Sequence, residues 1–380
     1  MNQLSSKRIE MIVNKVTSGQ ALTIYMPTHQ IPTRQHMDED QIRFKNMMQK
    51  ALKLIDKSGN KYFHAFLDKK FKDAMSNNLF WEQCTKSMLI TARLGMFEVT
   101  HLPVDCDEYI ALDDYFHLGP VYGLLYDMQD FHILHMAQKN PKLYKANNYN
   151  ADELDIGLPV DSHTALQIDE EHQKSVQHHS GRNTQFHGHG GGKDSGDWEE
   201  RQYMRIIDKL VAVNIDTSLP VVLAGTEHEL GLYKSLSNLP NICDATISLN
   251  ADRLDINILH EKAFGVIQSE IIDARREYAI NAFRQTYAKS PRKTVLDAEA
   301  LQQVSSEGRA DTVLLAVWKR TTDTVRDNKN QVRKLVMPNS MNNKSVDAAL
   351  EKAWKQGADI INVLASQLPK RSLLAANLRY

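Results

Sequence analysis

The residues from His187 to Asp197, HGHGGGKDSGD, combine reactive side chains with an unusually bare backbone. Five glycines fall within nine residues there, accompanied by two histidines and one lysine. Glycine has no Cβ, so such a run can adopt positive φ angles and approach another molecule closely. Histidine acts as a base, a donor or a metal ligand, and lysine contacts phosphate as a point charge. Residues 187–196, the glycine segment, are therefore the candidate functional site.

Three interpretations of the glycine segment follow from its residues alone. A phosphate loop, GxxxxGK[ST], is disfavoured because its first glycine would fall on His187 and its hydroxyl residue on Asp194. A metal site would use imidazoles, but the segment has no HExxH motif and no nearby cysteine. The histidines concerned are His178, His179, His187 and His189. A solvated loop explains the polarity of residues 159–196, but not why the glycines directly precede an amphipathic helix.

The helix after the glycine segment is the element that must position it. Asp197 is predicted as its N-cap, with Glu199 and Glu200 in a first turn that favours negative charge. The helix is predicted to run to about Val213. Its apolar residues recur at helical spacing and are Met204, Ile207, Leu210 and Val211. The run LPVVLAG then predicts a buried strand, and TEHELGLYKSL predicts a second helix.

Periodicity elsewhere predicts alternating helices and strands. Before residue 118 the predicted elements are a helix over 7–16, a strand ALTIYMP, helices from about 40 and over 62–77, and a hairpin of SMLITAR and MFEVTHL. The runs VYGLLYD and FHILHMA are predicted to form a second hairpin that opens a new domain. The last third predicts a helical stretch over about 252–288, a helix near 294–307, the strand DTVLLAVW, a helix ending at Gly357 and the strand ADIINVLA.

These elements predict an α/β protein of three α/β domains in series. The N-terminal domain is predicted over residues 1–117, and the middle domain, which carries the glycine segment, over 118–250. Residues 251–380 are predicted to form a C-terminal α/β/α sheet domain.

Composition limits the function further. The 380 residues include 42% hydrophobic and 24% charged residues, and the formal net charge is −1, which argues against a general polyanion binder. Cys84, Cys106 and Cys243 are too dispersed for a disulfide framework or zinc ribbon, which favours a reducing cytoplasm. We find no signal-peptide pattern and no apolar run long enough to span a membrane, so we expect a cytoplasmic protein without a membrane partner. We expect core or partly buried packing, rather than stacking on bases, for the tryptophans Trp81, Trp198, Trp318 and Trp354.

The stretch HGHGG ahead of a helix resembles the HGRGGQ loop of class-I archaeo-eukaryotic release factors. Further similar segments keep the family's order over roughly 120–380. They are LDIGLP before the loop, PVVLAG after the helix, GRADTVLLAV and KQGADIINV in the last domain, and the terminal NLRY. The chain is thus similar to the bacterial branch of this Pelota-like superfamily, and its last domain resembles the release-factor C-terminal domain.

The resemblance implies a translation protein whose partners are the ribosome and tRNA, without DNA, cofactor or metal. Its implied reaction is hydrolysis of the peptidyl-tRNA ester in ribosome rescue or quality control. The implied catalytic positions are Gly190, Gly191, Gly192 and Lys193, and the implied RNA-binding positions are His187, Gly188 and His189. Gly192 stands where the family has glutamine, so a non-catalytic ribosome- or RNA-binding role stays open as an alternative. A histidine-metal hydrolase is a further, less favoured alternative. Residues 1–118 contain no NIKS tetrapeptide, so stop-codon reading is not implied, and the oligomeric state is left open.

Overall fold

The computed structural model describes residues 2–15, 19–30, 32–166, 193–248, 255–320, 333–337 and 344–380, without the side chains of 193–196, 320 and 333. The described chain is a mixed α/β protein with three sheets, which confirms the predicted fold class. It divides into two compact units. Unit 1 comprises Met1–Met128 with Arg275–Tyr380, and unit 2 comprises Gln129–Ala274. The three-domain boundaries given above stay a prediction.

The N-terminal part of unit 1 is an antiparallel sheet covered by helices. Its elements are α1 (Ser6–Asn14), β1 (Ala21–Pro27), α2 (Arg34–Ser58), α3 (Lys61–Met75), α4 (Asn78–Glu82), β2 (Ser87–Arg93), β3 (Met96–Leu102), β4 (Asp105–Cys106), β5 (Tyr109–Asp113) and α5 (Gly119–Tyr126). The strand order is β3-β2-β1-β5. The predicted hairpin is confirmed, because β2 pairs with β3 around Gly95, whose φ of +84° a glycine accepts without strain.

The core of this sheet explains why apolar residues recur at regular spacing in β1, α2 and α3. Alternate residues of β1, such as Leu22 and Ile24, face a cluster that includes Phe44 of α2 and Phe63 of α3. All four side chains are fully buried, so the alternation of the strand and the 3.6-residue repeat of the helices record one packed interface.

Unit 2 has three layers, with helices on both faces of a five-stranded sheet. Its elements are β6 (Phe131–His135), β7 (Lys142–Ala146), β8 (Ala151–Leu154), a helical stretch α6 described over 162–166, α7 (Lys193–Asn214), β9 (Val221–Gly225), α8 (Glu227–Leu236), β10 (Ile247–Ser248), α9 (Ile256–Ile267) and a π-helical turn (Gln268–Ile272). Strands β10, β9 and β6 run parallel, and β7 and β8 continue the sheet antiparallel. Residues of α7 and α8 pack on one face and those of α9 on the other.

The C-terminal part of unit 1 contains a mixed sheet. Its elements are α10 (Asp273–Lys289), β11 (Thr294–Val295), α11 (Ala298–Ser306), β12 (Ala310–Arg320), β13 (Arg333–Leu335), α12 (Lys344–Lys355), β14 (Asp359–Leu364) and β15 (Leu374–Leu378). The order is β11-β15-β12-β13-β4, with β14 parallel to β12. Strand β4 therefore joins this sheet through Lys334 and Leu335, although it lies more than two hundred residues earlier in the chain. The predicted glycine at the end of α12 is confirmed, since Gly357 has φ of +76°.

The predicted hairpin of VYGLLYD and FHILHMA is wrong. Residues Gly119–Tyr126 form helix α5, with Pro120 in its first turn, and β6 pairs instead with β7 and β9. The physical reason is burial on every side: α5 lies against β14, where Asn362 donates its Nδ2 to the Pro120 carbonyl at 2.8 Å. A short run that is apolar all round carries no period that separates helix from strand.

The contact between α5 and β14 leads to a prediction about two helical glycines. A Cβ added at Gly123 would lie 2.2 Å from the Oδ1 of the fully buried Asn362, which its bond to Pro120 holds in place. We expect Gly123→Ala to lower the free energy of unfolding by about 1–3 kcal/mol through overpacking. Gly231→Ala in α8 is the matched control, since nothing lies within 4 Å of its added methyl, and it should raise stability by about 0.5–1 kcal/mol. Thermal unfolding of the whole chain checks both, and a stabilised Gly123→Ala variant would contradict the tight contact.

Candidate functional site

The predicted site residues lie almost entirely outside the described part of the chain. This holds for His187, Gly188, His189, Gly190, Gly191 and Gly192, and also for His178 and His179. Lys193 is the first residue of α7, and only its backbone is described. The roles assigned to these residues therefore stay predictions. The structure does describe helix α7, which follows them, and the sheet of unit 2.

Helix α7 begins five residues earlier than the sequence indicated. It starts at Lys193, so the prediction of Asp197 as N-cap is wrong, and Asp197 lies inside the helix together with Glu199 and Glu200. Gly196 looked like the end of the preceding loop, but a single glycine inside a helix costs only about 1 kcal/mol, which a packed helix tolerates. The helix consequently begins directly after the predicted catalytic glycines.

The buried face of α7 fixes this helix on the sheet. Met204, Ile207 and Val211 are fully buried, as predicted, while Leu210 is half-buried. Tyr203 is also buried and its hydroxyl donates to the carbonyl of Pro159 at 3.2 Å. The chain on the upstream side of the glycine segment is thereby tied to the helix on its downstream side.

Three side-chain hydrogen bonds join α7 to α8 and to Ser237, the residue that follows α8. Asp208 is buried in α7 and accepts hydrogen bonds from the Tyr233 hydroxyl at 2.9 Å and from the Ser237 hydroxyl at 2.5 Å. Burial, with Asp208 beside it, raises the pKa of Tyr233, which keeps this phenol a donor. In the first turns, Glu200 pairs with the Nε2 of His228 at 3.1 Å, and this hydrogen bond raises the pKa of His228.

Sequence reasoning found the helices but not these contacts. The residues involved are ordinary in type and 25 to 29 positions apart, so no local spacing marks them. A signal did exist for the start of α8, where Thr226 and Glu229 are three residues apart and form a capping box. Together the contacts hold the N-terminal turns of α7 in a fixed place relative to the sheet of unit 2.

Tryptophan exposure separates one residue from the other three. Trp81 and Trp318 are buried and Trp354 is half-buried, which confirms a packing role for them. The prediction for Trp198 is wrong: its side chain is 55% exposed near the start of α7. On α7, Trp198 lies on the face opposite the buried Ile207.

Other chemistry is limited in the part of the chain that the structure describes. The cysteines Cys84, Cys106 and Cys243 are free and buried. No group of three histidine, cysteine or acidic residues that could hold a metal ion occurs among the described residues. None of the described helices has an apolar stretch long enough to cross a membrane.

The sequence of unit 2 is similar to that of a known protein family. Part of the chain matches a family of bacterial archaeo-eukaryotic release factors, in keeping with the resemblance found in its sequence. The match is to the model of bacterial archaeo-eukaryotic release factor family 7, over residues 131–269, which lie within unit 2.

Solved structures of a translation termination factor and of Pelota and Dom34 are distantly similar to the chain. An archaeal translation termination factor, aRF1, is 12% identical over 100% of this chain and 99% of its own, with a TM-score of 0.24. Pelota from Archaeoglobus fulgidus is 8% identical over 77% of this chain and 79% of its own, with a TM-score of 0.31. Dom34 from S. cerevisiae, a translation termination-like factor, is 10% identical over 78% of this chain and 74% of its own, with a TM-score of 0.35. No curated protein matches the chain.

Proposed function

We propose that this protein is a release-factor-like translation protein that hydrolyses the ester of peptidyl-tRNA in ribosome rescue or quality control. Its partners are the ribosome and tRNA. The observation that supports the proposal most is the position of the glycine segment. It lies inside the matched region 131–269 and runs directly into α7, which is anchored to the sheet of unit 2.

The chemistry of the proposed reaction suits a bare backbone. Water adds to the ester carbonyl, the carbonyl oxygen becomes an oxyanion, and the tRNA hydroxyl leaves with a proton. Backbone N–H groups at Gly190 and Gly191 are suitable donors to that oxyanion and need no ionisable side chain. Glycines let this backbone approach the ester without a steric clash.

The positions after the glycine pair differ from the HGRGGQ pattern. Gly192 takes the place of the glutamine, and Lys193, which opens α7, follows it. In this proposal Lys193 contacts phosphate near the ester, and the orientation of the water comes from backbone groups. His187, Gly188 and His189 contact RNA ahead of the glycine pair.

The missing glutamine favours one second candidate function, a ribosome- or RNA-binding protein that does not hydrolyse the ester. Gly192→Gln separates the two. If the native chain binds ribosomes without releasing peptide and Gly192→Gln then releases it, the protein is a binder on the same fold. If the native chain releases peptide, hydrolysis is its own activity.

Cosedimentation with ribosomes and peptide release from stalled ribosomes test the proposal together. The chain is compared with a variant that lacks residues 187–194. We expect the native chain to bind and to release peptide, and the shortened chain to bind without release. A native chain that neither binds ribosomes at low salt nor releases peptide would refute the proposal.

A further inference from the structure

The exposed face of α7 carries a tryptophan and three cations that the proposed reaction does not use. They are Trp198, Arg201, Arg205 and Lys209, and all four side chains are exposed. At 3.6 residues per turn, Trp198, Arg205 and Lys209 point within about 40° of one another, with Arg201 about 60° to one side. We call these four residues the α7 stripe. The opposite face of the helix is the buried one.

The cations of the α7 stripe have no partner among the described residues, as none of them forms a hydrogen bond or an ion pair there. Some other described cations are paired, for example Lys142 with Glu153 at 2.8 Å. Among the acidic residues of α7 with described side chains, Asp208 lies about 80° to one side of Trp198 and accepts hydrogen bonds from Tyr233 and Ser237, and Asp197 and Glu199 lie about 100° to either side. Asp194 precedes Trp198 by one turn of the helix. The stripe is therefore a local positive surface on a chain whose net charge is −1.

We infer that the α7 stripe binds single-stranded RNA, with phosphates on its cations and one base stacked on Trp198. The inference rests on the proposed function, because it names the surface that would hold RNA beside the glycine segment. Arg201, Arg205 and Lys209 follow one another at about 6 Å along the helix axis, so they form a continuous row for a phosphate backbone.

The residue types favour RNA over an acidic protein. Guanidinium groups contact phosphate oxygens in pairs, and an exposed aromatic ring stacks on any base. A protein partner generally needs an apolar centre in its interface. Among the described side chains of α7, the only large exposed apolar residue besides Trp198 is Val213, which lies about 22 Å along the axis at the other end of the helix.

The test measures binding of the full chain to a fluorescein-labelled single-stranded RNA of about 12 nucleotides by anisotropy, between roughly 50 and 200 mM salt. One variant combines Arg201→Gln, Arg205→Gln and Lys209→Gln. It should lower the affinity at least about tenfold at low salt and reduce the slope of log K against log salt by about 2. Trp198→Ala should lower the affinity about tenfold with the slope unchanged, because it removes stacking and no charge.

The matched control removes three exposed lysines elsewhere in unit 2, with Lys139→Gln, Lys145→Gln and Lys262→Gln. This control changes the net charge equally and should leave the affinity within about twofold. Equal losses in both triple variants, an unaffected Trp198→Ala, or no RNA binding by the native chain would overturn the inference. Tighter binding of polyglutamate than of RNA would also overturn it and would indicate an acidic protein partner.

The stripe and the proposed reaction can fail separately. If the stripe variants lose RNA while the native chain releases no peptide, the stripe binds RNA and the hydrolysis proposal falls. If the native chain releases peptide and the stripe variants release it equally fast with equal RNA affinity, the hydrolysis proposal stands and the stripe inference falls.

Discussion

Gly191→Ala should lower the rate of peptide release from stalled ribosomes by at least about 100-fold. In the proposed mechanism the backbone at this position approaches the ester more closely than a Cβ permits. A displacement of about 1 Å at the reacting centre is enough for a loss of that size. Binding to ribosomes should change little, because the cations that would contact RNA are untouched. The measurement is single-turnover release of labelled peptide, with cosedimentation in parallel.

The control for this prediction is the same substitution at a glycine outside the site. Gly231→Ala in α8 adds a methyl group in open space, so release should equal that of the native chain. A Gly191→Ala variant that releases peptide normally would show that the glycine pair does not approach the ester. A variant that loses release and ribosome binding to the same degree would assign the segment to binding alone.

Local patterns were sufficient to predict most of the secondary structure. Strand β1 was found because it is a short apolar run that ends at Pro27. Helices α2 and α3 were found because each has one buried face, and the β2–β3 hairpin because Gly95 lies at its turn. Helix α5 was missed because all its sides are buried, so its sequence lacks a period. Exposure of Trp198 was missed because one tryptophan gives no information about the direction of its own side chain.

Pairings between distant residues were outside the reach of sequence reasoning. Strand β4 is two residues long and pairs with β13, which follows it by more than two hundred positions. Asp347 similarly accepts hydrogen bonds from the backbone of Leu118 and Gly119. Such contacts leave no mark in a window of ten or twenty residues. The candidate site itself was predicted from the type of its residues, since glycines and histidines need no partner to be recognised.

The carboxylate of Asp347 should make the stability of unit 1 depend on pH. Its Oδ1 accepts from the N–H groups of Leu118 and Gly119 at 3.1 and 2.8 Å, at the start of α5. Its Oδ2 is buried without a hydrogen bond to any described residue and lies 3.5 Å from the Nδ1 of His117. Burial raises the pKa of Asp347 from 3.8 to about 7, against the lowering effect of the two backbone bonds.

The direction of the effect follows from proton linkage. The folded chain keeps the proton on Asp347 up to about pH 7, whereas the unfolded chain releases it above pH 3.8. Stability from this group is therefore complete below pH 3.8 and declines as the pH rises to about 7. At 1.36 kcal/mol per pKa unit, the whole decline is about 4 kcal/mol, and the part between pH 5 and 8 is about 2–3 kcal/mol.

Asp347→Asn removes the titration and keeps an oxygen for the two backbone donors. We expect its free energy of unfolding, relative to the native chain, to rise by about 2–3 kcal/mol between pH 5 and pH 8. Asp73→Asn on the exposed side of α3 is the control and should show no such change. Urea unfolding at the two pH values gives the comparison. Parallel curves for native and Asp347→Asn chains would contradict the raised pKa of Asp347.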